Sequence, residues 1–146
     1  MNQRRIRQVQ EATRPLLNPA DTIDHVGLTK VGSVSVRRRL ATTAATAILS
    51  GGHLIAIAQP RPMYFALTRE RMLFFDPHAV TGSPGPVQMQ LPRELLSTAP
   101  LRKALLGLGL QTVLTIDGAD QAFALTFPPV AKPDARALDA LLPRTR

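Results

Sequence analysis

The chain holds 146 residues, 45% of them hydrophobic and 4% aromatic, with 18 Lys+Arg against 10 Asp+Glu and a net charge of +8. That length and apolar content suit one domain with a real core and exclude a wholly disordered chain. The lack of cysteine removes disulfides, thiolate metal sites and cysteine nucleophiles, and three histidines are too few for a His-rich metal centre.

Residues 2–14, NQRRIRQVQEATR, place Ile6, Val9 and Ala12 three apart. The spacing predicts a short amphipathic helix surrounded by Arg4, Arg5, Arg7 and Arg14, bracketed at its end by Pro15 and Pro19. Residues 18–33 read as turn, extended piece and turn, with Gly27 and Gly32 as punctuation. From about Val36 to Ser50 the pattern is helical, and Gly51-Gly52 ends it. Arg37, Arg38 and Arg39 stand at the front of that helix, where the macrodipole prefers anions; they are either solvated or turned to a negative surface.

The period changes at Leu54. LIAIA (54–58) is a short strand candidate, and MYFALTRERMLFFD (63–76) gives two more, about 63–68 and 71–76. A polar turn at Arg69-Glu70 joins them as a hairpin, with Arg69 to Arg71 expected to be solvated. VQMQL (87–91) alternates, which points Val87, Met89 and Leu91 inward. Residues 92–110 fit either a short helix and a strand or two irregular strands. QTVLTID and QAFALTF flank Gly118 as a second hairpin, with Leu114 and Ile116 on one face and Phe123, Leu125 and Phe127 on one face of the next strand. Residues 132–143 predict a closing helix with Pro133 in its first turn and a stripe of Ala135, Leu138, Leu141 and Leu142.

The order is therefore a helical extension, six or seven short strands and one helix that must cover the open apolar side of a bent sheet. LSGGHLIAIA, YFALTRERMLFFD, VQMQLPRELL and VLTIDGADQAFALTF with the terminal helix resemble the bacterial pleckstrin-homology-like (PH-like) and GRAM-type domains over roughly residues 49–142. The whole chain is also similar in layout to small actinobacterial proteins. The resemblance implies an α+β fold, a bent antiparallel sheet or partly open barrel of about seven strands capped by a C-terminal helix, used to bind lipids or proteins. The expected division is a helical extension over 1–52 and a PH-like domain over 53–146. In lipid-binding relatives the first hairpin loop is basic; here that loop would be QPRP with Arg61 alone, without the phosphoinositide pattern.

Catalytic signatures are missing. GLGLQT (107–112) lacks the spacing and Lys of a phosphate loop, and TGSPG (81–85) misses the serine-hydrolase elbow. Asp24-His25 and Asp76/His78 are the only carboxylate–imidazole neighbours, with no third partner in sequence. Asp117 and Asp120 around Gly118 suit a hairpin turn better than a calcium loop. Nucleic acid is disfavoured because the aromatics alternate into the core. Residues 36–59 partly imitate a twin-arginine export signal, but cleavage would remove strand 54–58. The expectation is a non-catalytic cytoplasmic binding module without cofactor, metal or small-molecule substrate. Its expected partner is a protein or a second copy, reached through the N-terminal helices. The alternative is peripheral association with anionic lipid through Arg4, Arg5, Arg7, Arg37, Arg38 and Arg39.

Overall fold

A computed structural model describes residues 1–35 and 57–146. Helix α1 (Gln3–Thr13) is capped by Asn2, whose side chain accepts from the Arg5 N–H at 2.9 Å. Pro15 cannot continue the ladder, and a 3-10 turn (Arg14–Leu16) follows. The strands are β1 (Ile23–Ser35), β2 (Arg61–Thr68), β3 (Arg71–Pro77), β4 (Pro84–Pro92), β5 (Leu96–Thr98), β6 (Arg102–Ala104), β7 (Gly109–Ile116) and β8 (Gln121–Phe127), before helix α2 (Lys132–Leu141). The class is α+β. Among the described residues, one antiparallel sheet that does not close runs in the order β4-β3-β2-β1-β8-β7-β5, and β6 also pairs with β7.

The central strand is β1, which pairs Val26 with Ala66 on one side and Val31 with Leu125 on the other. This corrects the expected helical extension over 1–52: residues 23–35 belong to the sheet. Glycine punctuation masked the strand. Gly27 lacks a side chain because a Cβ there would lie 2.6 Å from Asp134 Cγ on α2 and 2.8 Å from the Phe65 ring. The connection from β1 to β2 is therefore residues 36–60; of QPRP only Gln59 and Pro60 belong to it, and Arg61 and Pro62 already open β2. The expected helix over 36–50 and the Arg37–Arg39 triplet lie outside the described residues, as do the first three positions of strand 54–58. Ile57 and Ala58 are not in a strand; Ile57 exchanges hydrogen bonds with Ser33, through its O at 2.8 Å and its N–H at 2.6 Å.

The sheet is buried on two faces. On the inner face Met63, Phe65, Leu67, Met72, Phe74, Leu114, Ile116, Phe123, Leu125 and Phe127 meet Ala135, Leu138 and Leu142. On the outer face Val26, Tyr64, Ala66, Leu73 and Phe75 meet Val9, with Ile6 and Ala12 packed alongside. The β2–β3 hairpin is thus apolar on both sides, as a strand pair covered above and below must be. Its pairing is Tyr64↔Phe75 to Leu67↔Met72, about the predicted Arg69-Glu70 turn.

Two side-chain directions differ from expectation. Phe74 pairs with Met89 but Phe75 with Val87, so Gln88 is the extra residue of a bulge. The bulge moves Val87 to the outer core, while Met89 and Leu91 stay inside. The closing helix stops at Leu141, which is 37% exposed; the chain turns there, and Leu142 fills the core instead. Residues 92–110 resolve into a 3-10 turn (Arg93–Leu95) and the short strands β5 and β6.

Both ends of the sheet are guarded. Edge strand β4 carries Pro84, Pro86 and Pro92, which offer no N–H to an incoming strand. At the other end the C-terminal tail pairs with β5: the Thr98 N–H donates to Pro143 O and the Thr145 N–H to Thr98 O, both at 2.9 Å.

Candidate functional site

The N-terminal arginines have separate roles. With Val9 committed to the sheet, Arg4 and Arg7 project from α1 and are exposed. Arg5 is half-buried and donates to Gln8 Oε1 at 2.8 Å and to the Thr81 carbonyl at 2.9 Å, tying α1 to the β3–β4 connection. Of the described candidates, Arg4 and Arg7 therefore remain accessible to a partner, while Arg5 is engaged within the fold.

The polar knot at residues 68–71 is more than a solvated turn. Arg69 and Glu70 are exposed, but Thr68 is fully buried and holds the turn by accepting the Arg71 N–H at 2.9 Å. Asp21 is 6% exposed, and its carboxylate accepts from Thr68 Oγ1 at 2.9 Å, the Glu70 N–H at 3.1 Å and the Thr22 N–H at 2.9 Å. Arg71 Nη2 lies 3.9 Å from that carboxylate and donates to the Leu16 carbonyl; Nη1 donates to Gln90 Oε1 at 2.6 Å. Asn18 donates to Glu70 Oε2 at 2.8 Å. The segment after α1 is clasped to the β2–β3 hairpin by these bonds. The sequence reading missed Asp21; its signal is a carboxylate inside a Pro-rich turn, too common to single out.

The carboxylate–imidazole neighbours separate. His25 Nε2 lies 2.8 Å from Asp134 Oδ1, and the Leu28 N–H reaches Asp134 Oδ2 at 3.3 Å, so the pair fastens α2 across β1. Asp24, bulged out of β1, instead meets Arg93 at 2.5 Å, and that guanidinium also donates to Thr68 O and Leu141 O. Asp76 pairs with Arg61 at 3.2 Å. His78 Nδ1 accepts from the Val80 and Thr81 N–H groups, which makes it a turn cap. Asp117 and Asp120 flank Gly118, whose φ of 81° turns the β7–β8 hairpin. Among the described residues, no three His, Asp or Glu side chains gather as a metal-binding group.

A groove of about 480 Å³ runs beside the C-terminal tail, lined by Glu94, Ser97, Thr115, Asp117, Arg144 and Arg146 among others. Glu94 and Asp117 line it together with Arg144 and Arg146, so it has no single charge sign to select an ion. Among the described residues, no helix is long and apolar enough to cross a membrane. No protein-family model matches the chain, and no curated protein was found similar to it.

Proposed function

We propose that the chain is a non-catalytic PH-like binding module whose partner presents negative charge, in the first place an acidic face of another protein. The observation that carries this reading is the strand order: a meander from β1 to β4, a return in which β8 pairs with β1, and a C-terminal helix over the inner face. That is the arrangement expected of a PH-like domain, whose framework serves binding. The net charge of +8 makes an acidic partner favourable and works against a second copy of the same chain. Self-association through the apolar face of α1 is disfavoured further, because Val9 and its neighbours already pack on the sheet. What α1 offers outward is Gln3, Arg4, Arg7 and Glu11, two cations against one carboxylate.

A second reading, peripheral association with anionic lipid, is favoured by the same exposed arginines, each contributing about 1 kcal/mol near a charged surface. Sedimentation velocity and vesicle flotation of the full chain and the variant R4E/R7E test both. A concentration-dependent dimer insensitive to the substitution would refute an oppositely charged partner as the main one. Flotation on anionic vesicles lost in R4E/R7E supports the second reading.

A further inference from the structure

We propose that the β6–β7 hairpin is a membrane-inserting tip that reads an anionic bilayer surface. The proposal rests on the lipid reading above but assigns it to a different part of the molecule. The tip is Leu105-Leu106-Gly107-Leu108, between the paired residues Ala104 and Gly109. Leu106 is 103% exposed, Leu108 63% and Leu105 48%. Single exposed apolar residues are ordinary, but three leucines in four positions form a patch. A Cβ on Gly107 would meet nothing within 4 Å, so the tip projects from the body. Val130, 74% exposed, follows β8 at the same end of the sheet, because Leu110 pairs with Phe127.

The backbone of the tip argues against a folding role for these leucines. Leu105 and Leu106 have φ of 53° and 57°, and the Gly107 N–H closes the turn on Ala104 O at 3.0 Å. Two consecutive left-handed residues are the geometry that Asn-Gly satisfies with least strain. Branched leucines are poor choices there. Leu106 gains no burial among the described residues, and Leu105, whose Cδ1 lies over Gly109, and Leu108 are only partly covered.

Charge selects the occupant. Arg102 and Lys103 are exposed at the base of the tip, and no acidic residue occurs between Glu94 and Asp117. Those two carboxylates stand at the far end of β7, about 25 Å away at strand rise. Successive strand residues point to opposite faces, so Arg102 and Lys103 flank the hairpin on both sides. The register carries Arg102 through Gln111 and Thr126 to Lys30, an exposed cation on the same face. An apolar point with cations on both sides fits a plane of phosphates over hydrocarbon. A protein groove would engage one side.

The chain has no tryptophan, so L106W introduces a single indole reporter at the tip. With phosphatidylserine-containing vesicles its emission should shift to the blue and be quenched by brominated acyl chains. The variant L105N/L106G should partition onto those vesicles at least tenfold less well, yet melt at a higher temperature because the turn is relieved. R102Q/K103Q should weaken partitioning several-fold and flatten its salt dependence. An unshifted indole, wild-type partitioning of L105N/L106G, or equal binding to pure phosphatidylcholine overturns the proposal. So does self-association that disappears in L105N/L106G without any vesicle binding. Binding lost in R4E/R7E but kept in the tip variants also overturns it, while leaving the lipid reading through α1 intact.

Discussion

Replacing Asp21 by Ala removes the acceptor on which the N-terminal clasp converges. Three hydrogen bonds end on that carboxylate, two of them from the β2–β3 turn, and Arg71 Nη2 lies 3.9 Å away. The buried Thr68 hydroxyl loses its charged acceptor, at about 1–3 kcal/mol for a buried group left unsatisfied, whereas the part-buried Glu70 N–H keeps Thr68 Oγ1 at 3.3 Å. The Arg71 guanidinium keeps Leu16 O and Gln90 but loses its counter-charge, and removing one partner of a buried pair costs about 3–5 kcal/mol at most. Thr68 can turn its hydroxyl to Arg71 O at 3.1 Å, which lowers the total. We expect a net loss of about 3 kcal/mol. In urea that is a midpoint lowered by about 1–2 M with the slope unchanged. D21N keeps one amide oxygen and should lose about half as much. A D21A loss below about 1 kcal/mol would refute the clasp and return residues 68–71 to a plain solvated turn. A D21A/R71M double-mutant cycle adds a second check, since two residues that act independently would show no coupling.

Gly27→Ala puts a methyl against Asp134 Cγ and the buried Phe65 ring, and should cost about 2–4 kcal/mol in urea unfolding. Asp134→Ala, which leaves His25 and the Leu28 N–H without that carboxylate, should cost about 2 kcal/mol. Val9→Ala opens a space under α1 and should lose about 2 kcal/mol, whereas Arg4→Ala on the opposite side should stay within about 0.5 kcal/mol. An equal effect of the last two would mean that α1 is not seated on the sheet.

The parts of the fold legible in the sequence are those whose pattern arises within one element. Ile6, Val9 and Ala12 marked α1, and the alternation Phe123, Leu125, Phe127 marked β8, because each needs only its own periodicity. The double-sided run 63–76 was visible as two apolar strands about a polar turn. The features that escaped are set by contacts far along the chain. β1 was read as broken by glycines because the reason for Gly27, a carboxylate 107 positions later, has no local signature. Val87 changed face through one extra residue at Gln88, and no pattern within β4 announces a bulge imposed by β3. The candidate site was legible only as a count of arginines. Exposure distinguishes Arg4 and Arg7 from Arg5, and it depends on where Thr81 lies in space. The leucines at 105–108 read as part of an irregular apolar stretch, since nothing in their sequence shows that they face solvent.

The topology also decides how the role of the N-terminal region can be tested. Deleting residues 1–48 looks like removal of a docking extension, but it takes away α1, Asp21 and the whole of β1. Strands β2 and β8 would each lose their β1 partner, from Ile23↔Thr68 through Ser35↔Gln121. Val9, Val26 and Val31 are all at most 6% exposed, and at about 1.5–3 kcal/mol per buried side chain their loss alone comes to about 5–9 kcal/mol. A domain of this size has about 5–15 kcal/mol in all, so the truncated chain should lack a cooperative urea transition and bind a hydrophobic dye. A cooperative transition in that fragment would refute the central place of β1. Loss of binding on truncation would then report lost folding, and only point substitutions that leave the sheet intact, such as R4E/R7E and L105N/L106G, separate the docking surfaces from the framework that holds them.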